Sequence, residues 1–295
     1  MNRLDTKVRA QILKMLCEGN GLRATSGMTG TSINTVSKLL SEAGKALAGY
    51  HDDTVRNVKS DRIQCDEVWS FTFSKAKNVG KTIAAPGWVG GSWTWVAVDV
   101  DSKLIISYMV GARDCGFATD FMRDLADRIE NGRRVQLIAD GLHFCVNAVD
   151  SVFSGNADFA QLIEQYGPIE EAPQRRYSPA VRTNPEVKQV AGDSDRISAS
   201  NVERQNLTKR MHMRRFTRLT NGYSKKLTNH MHMVALYAVF YNFVKANETS
   251  QVTPAMAAGV SAEPRDFEWL VEMIDSKARS PKKRGVYNNQ QQRPS

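Results

Sequence analysis

The 295-residue sequence predicts an α/β fold: a mixed sheet flanked by helices, preceded by a small all-helical segment. Three observations carry that expectation. Residues 62–140 hold three strand-like runs, a helical period and a fourth apolar run, an order that suits a mixed sheet. Residues 7–40 hold only helical stripes broken by glycines. The composition, 41% hydrophobic and 24% charged, can bury a sizeable core and excludes a wholly disordered chain.

Val8, Ile12 and Leu16 form one helical stripe, stopped by Glu18-Gly-Asn-Gly. A short helix over Leu22–Met28 leads into Thr29-Gly-Thr-Ser. Ile33, Val36, Leu39 and Leu40 then carry a third helix, with Ser32 or Thr31 placed as N-cap. Helix, glycine turn, helix is the pattern of a helix-turn-helix module over residues 1–50. Such a module reads the major groove from the start of its last helix, here Ser32, Asn34, Thr35 and Lys38. The alternative is a helical cap that touches no DNA. Residues 51–61, polar and aperiodic, are expected as a linker.

From residue 62 the texture changes. Ile63–Phe73 alternates and is rich in aromatics, as a strand should be. Two further strands, Trp93–Val100 and Leu104–Val110, are joined by the turn Asp101-Ser-Lys. Trp69, Trp93 and Trp95 are expected to fill the core. Phe121, Leu125 and Ile129 mark a helix, Val135–Asp140 a buried strand, and His143–Phe153 another helix. Residues 155–200, with Gly-Pro, Ser-Pro and Asn-Pro breaks, read as an irregular insertion. A long basic helix is expected from about Ser200, then a buried apolar one over Thr228–Lys245. Residues 261–295 read as a C-terminal helix and a basic, disordered tail.

Charge is unevenly sorted. The formal net charge is +9, yet residues 204–226 hold eight basic side chains and no acidic one, and 276–295 hold six and none. Separate basic stretches around an acidic centre favour a polyanion, and nucleic acid above others. The longest apolar run, near Met231–Val244, falls short of the ~20 residues that span a bilayer. No apolar signal core follows the N-terminus. A cytoplasmic protein with no membrane partner is therefore expected. Cys17, Cys65, Cys115 and Cys145 are scattered without a Cys-x-x-Cys pair, so they read as reduced thiols.

Three carboxylates stand where chemistry usually does. Asp66 lies inside the first strand of the sheet, Asp140 at the carboxyl end of the fourth, and Glu203 at the head of the basic segment. Clustered carboxylates repel unless a cation neutralises them. Three hard oxygen donors suit Mg²⁺ or Mn²⁺. Two such ions about 3.5–4 Å apart can serve both oxygens of a phosphoryl transfer. Singly, each residue has a bland reading: strand edge, turn former and helix-start acid.

Cys-Asp66-Glu-Val-Trp-Ser-Phe, the Asp140-Gly turn, Arg176-Tyr-Ser-Pro, Val202-Glu203-Arg-Gln-Asn-Leu-Thr-Lys-Arg-Met, Arg214-Arg-Phe-Thr-Arg-Leu-Thr-Asn and Thr253-Pro-Ala-Met-Ala-Ala-Gly resemble the DDE transposases of bacterial insertion sequences, closest to the IS-one family. The resemblance covers roughly residues 62–260. It implies a ribonuclease-H-like catalytic domain with Asp66, Asp140 and Glu203 as catalytic, metal-binding triad, loaded with two Mg²⁺ or Mn²⁺ ions. It further implies binding of element ends and target DNA, strand cleavage and transfer, and a homo-oligomer on nucleoid DNA. Paired cysteines of a zinc-binding segment, frequent in that family, are absent here. Arg176, Arg210, Arg214, Arg215, Arg218, Lys225 and Lys226 are the expected phosphate contacts. Arg210 stands two helical turns past Glu203, with Arg214 and Arg218 continuing that side. Two alternatives stay open: a nuclease or resolvase of the same fold, and a DNA-binding regulator with an inactive catalytic domain.

Overall fold

The computed structural model describes residues 3–79, 90–140, 144–166, 182–189, 212–216, 222–247 and 251–278. Helix α1 spans Thr6–Cys17, capped by the Asp5 carboxylate, which accepts from the Lys7 N–H at 3.2 Å. Gly19, at φ 80°, turns the chain out of it. Helix α2 spans Leu22–Thr29 and closes on Gly30, at φ 64°. Helix α3 runs over Ile33–Thr54. It therefore continues past residue 50 into the stretch expected as a linker. The reason is its buried side: Leu39, Leu40, Ala43 and Leu47 belong to the same hydrophobic core as the sheet, and so does Val55 just beyond it.

The sheet has six strands in the order β3-β2-β1-β4-β5-β6. β1 (Arg62–Thr72) pairs antiparallel with β2 (Gly90–Asp99) and parallel with β4 (Val135–Asp140). β2 turns through Asp101-Ser-Lys into β3 (Ile105–Gly111), as the sequence predicts. The Asp99 carboxylate fixes that turn by accepting from the Ser102 N–H at 2.6 Å.

The segment expected as irregular holds two strands. β5 (Ala157–Tyr166) lies parallel to β4, and β6 (Arg182–Gln189) lies antiparallel to β5 at the sheet edge. β6 contains Pro185 and is mostly polar, so it shows no strand pattern. An edge position tolerates a proline that a central strand would not.

Helix α4 is a single turn, Ala76–Val79. Helix α5 (Cys115–Ala126), N-capped by Asp114, covers one sheet face, where Trp95 meets Phe121 at 5.7 Å between ring centroids. Helix α6 (Phe144–Phe153) packs beside it. Successive strand residues face opposite sides, so Thr94 looks the other way, toward helix α7 (Leu227–Val239). A π-helical turn, Phe240–Val244, extends α7. Its Asn242 side chain accepts from the Ile105 N–H and donates to the Ile105 carbonyl, both at 2.9 Å.

Helix α8 is the turn Pro254–Ala257, and α9 spans Phe267–Ser276. Among the described residues no helix is long and apolar enough to cross a membrane.

The basic helix does not run on as expected. Met213 is non-helical, Arg214–Phe216 form a 3₁₀ turn, and residues 222–224 are extended. Met213 and Phe216 are both buried, and anchoring them breaks the α-helical path. Arg214 stands in that 3₁₀ turn, and Arg210 and Arg218 lie outside the described residues. The tail beyond residue 278 lies outside the described residues.

Candidate functional site

The register between β1 and β4 decides where the two aspartates stand. Cys65 is paired with Ala139, so residues 66 and 140 occupy the next matching positions on adjacent parallel strands. Neighbouring strands lie about 4.8 Å apart. Asp140 is also the last residue of β4, and ligands gather outside the carboxyl ends of strands in open α/β sheets. β1 runs on past its pairing with β4 as far as Thr72, where Ser224 forms a parallel bridge to it. The Phe73 N–H seals this joint by donating to the Ser224 carbonyl at 2.8 Å. Among the described residues this leaves a notch beside β1, with the aspartate positions at one end and residues 222–224 at the other.

Asp66 is half-buried, and one of its carboxylate oxygens accepts from the Glu67 N–H at 2.7 Å. Glu67 has a different occupation. Its carboxylate receives the Arg113 guanidinium at 2.7 Å, and that guanidinium lies 4.4 Å from the Trp93 ring centroid. Glu67 is thus structural, as its place one residue on from Asp66 suggests.

The far wall of the notch is held by a buried polar cluster. His230 sits with its ring nitrogens 3.4 Å from the hydroxyls of Ser70, Thr94 and Ser224. Burial, reinforced by the nearby Arg215 charge, lowers its pKa to about 3, so it is neutral. Arg215 donates to the Ser224 hydroxyl at 3.0 Å and to the Asn229 carbonyl. Burial lowers this guanidinium to about 10. Arg215, expected to contact phosphate, is therefore turned inward to brace residues 224–230. The sequence gives little sign of this, because it shows only a basic stretch.

Among the described residues, no three His, Cys, Asp or Glu side chains stand close enough to hold a metal ion. Asp140 is described by its backbone position alone. Glu203, Arg176, Arg210, Arg218 and His143 lie outside the described residues. Ser32, Asn34, Thr35 and Lys38 are all exposed around the start of α3, and Arg214, Lys225 and Lys226 are exposed as well. Cys17 and Cys65 are buried thiols, whereas Cys115 is exposed.

No family model matches the chain, and no curated protein does. Among solved structures the chain is similar to that of the Mos1 strand transfer complex, at 13% identity over 54% of this chain and 59% of that one, with a TM-score of 0.24. The Mos1 transposase paired-end complex with left transposon end gives 11% identity over 54% and 60%, at a TM-score of 0.21. The piggyBac transposase synaptic complex with hairpin DNA gives 10% identity over 94% and 71%, at 0.40. The chain spans about three-fifths of the length of the Mos1 chains it matches.

One expectation for the aromatic residues needs correction. Trp95 is buried and Trp93 half-buried, but Trp69 is 42% exposed. Trp69 shares its sheet face with Ile63 and Cys65, yet those two are buried and it is not, so strand alternation alone does not decide its burial. Its hydrophobicity alone carried no signal of this.

Proposed function

We propose that this chain is a transposase of the insertion-sequence type, with a ribonuclease-H-like catalytic domain acting as a polynucleotidyl transferase on DNA. The observation that carries the reading is the matching register of Asp66 and Asp140 at the carboxyl end of β4. Two carboxylates at neighbouring positions are the hard oxygen donors that Mg²⁺ or Mn²⁺ takes, and Glu203 would complete the set. A pair of such ions would supply Lewis acidity to both the attacking and the leaving oxygen. Asp66 and Asp140 fix where the scissile phosphate must lie, in the notch beside β1. Arg214, Lys225 and Lys226 would hold the DNA backbone on the basic side, joined by Arg176, Arg210 and Arg218. Ser32, Asn34, Thr35 and Lys38 would read the element ends. Joining of two ends calls for a homo-oligomer on DNA.

The test uses the full chain with duplexes carrying the repeats that flank its gene, in Mg²⁺. Asp66→Asn, Asp140→Asn and Glu203→Gln should each abolish cleavage and joining while end binding persists, because charge is lost and size kept. A variant with normal turnover would remove that residue from the site. Cleavage without joined product would make the chain a nuclease of the same fold.

A further inference from the structure

We propose that the aromatic face at the carboxyl end of β1 is a stacking platform for unpaired DNA bases. Trp69 and Phe71 point to the same side of the strand, with ring centroids 5.8 Å apart, and Tyr223 continues the row 4.7 Å beyond Phe71. Lys75 stands over the Phe71 ring at 5.9 Å. A Cβ on Gly91 would come within 3.2 Å of the Trp69 indole nitrogen, so the bare glycine is what lets that ring lie against β2. The three rings form a row, each tilted to the next by 37° and 33°, with Trp69 42% exposed.

Charge selects the occupant. Residues 68–98 contain no Asp or Glu, and neither do residues 222–230, whereas Lys75, Lys225 and Lys226 are exposed. The acid that β1 itself carries on this face, Glu67, is taken by Arg113. Aromatic faces among unopposed cations are what single-stranded nucleic acid uses, its bases stacking while lysines meet its phosphates. Trp69 lies roughly 10 Å along β1 from Asp66, at about 3.3 Å per residue. It is on the opposite sheet face, so a DNA strand leaving the notch would cross the edge of β1 to reach the rings.

This inference rests on the DNA reading above, and the experiment separates the two. The full chain is titrated with a fluorescent 20-nucleotide oligo(dT) and with a blunt duplex of equal length, while tryptophan emission is followed. Oligo(dT) should quench that emission. Trp69→Ala and Phe71→Ala should each weaken oligo(dT) binding about 5- to 150-fold and leave duplex binding within twofold. Trp69→Phe, which keeps a ring, should restore most of the loss, and unchanged circular dichroism would show that the variants fold. Equal losses on both DNAs, or no loss on oligo(dT), would overturn the platform and leave the transposase reading standing. Self-association abolished by Trp69→Ala would overturn it too, assigning the rings to a protein contact. Failure of the unaltered chain to bind either DNA would overturn the DNA reading itself.

Discussion

Adjacent residues in this chain do unlike work, and Arg214 and Arg215 are the sharpest pair. Arg214 is exposed, while Arg215 is bonded to Ser224 and Asn229. If Arg214 neutralises a phosphate, Arg214→Ala should remove roughly 0.9 from the slope of log affinity against log salt on duplex DNA. Arg215→Ala should instead destabilise the protein by about 1–3 kcal/mol, since it removes the hydrogen bonds that tie Ser224 to Asn229. Salt titrations of binding beside urea unfolding would check both, and the reverse assignment would contradict the structure. At this scale the strand positions of Asp66 and Asp140 and the helix start at Ile33 were legible in the sequence. Arg215 and Trp69 were not. Whether a cation faces inward depends on the fold around it, here the Ser224 and Asn229 groups that hold Arg215, and a ring's burial depends on what packs over its sheet face.

Elements meet where side chains are smallest. A Cβ on Gly44 of α3 would fall 2.3 Å from the His232 Cβ of α7 and 2.4 Å from its Cα, so the two helices cross almost backbone to backbone. Gly44→Ala should therefore cost about 1–3 kcal/mol or more in urea unfolding, although alanine favours helices; an unchanged midpoint would mean that the crossing is looser. Asn242 acts on the other side of α7, saturating the backbone of Ile105 at the edge strand β3. The helices α1, α3 and α5 were readable from their apolar period, α7 from its apolar run, and β1 to β4 from alternation, apolar runs and turns. β5 and β6 escaped because their residues are mixed or polar and their pairing, not their pattern, makes them strands. The break at Met213 escaped because basic residues with good helical propensity gave no hint that two apolar anchors would stop the helix.

Across the whole molecule, buried histidines set a pH limit. His51, held by the Ile105 carbonyl at 3.1 Å, is lowered by burial and Arg128 from 6.5 to about 4, and His230 to about 3. Both are neutral when folded but gain a proton when unfolded below about 6.5. Their stability is complete above that pH and declines as pH falls, by up to about 1.4 kcal/mol per unit for each. The urea midpoint should drop between pH 7 and pH 5, with a shallower slope in His230→Gln; a flat profile would contradict their burial. Integration also changes how end recognition must be tested. Removing residues 1–50 would strip buried parts of α3 from the core, so exposed-residue changes such as Asn34→Ala and Lys38→Ala are the informative ones. The charge sorting and the resemblance pointed to DNA, but no local signal told that the N-terminal helices are built into the core. Arg9 of α1 grips Asp275 of α9 through two hydrogen bonds, at 2.7 and 3.0 Å, and α3 packs on α7. During synthesis, then, α1 and α3 pack on each other and on α2 but lack their largest partners, α9 and α7, until those have left the ribosome. A copy halted before residue 227 would leave the tunnel with α1 and α3 only partly covered, open to chaperones and proteases. Synthesis through residue 276 is thereby built into the stability of these helices.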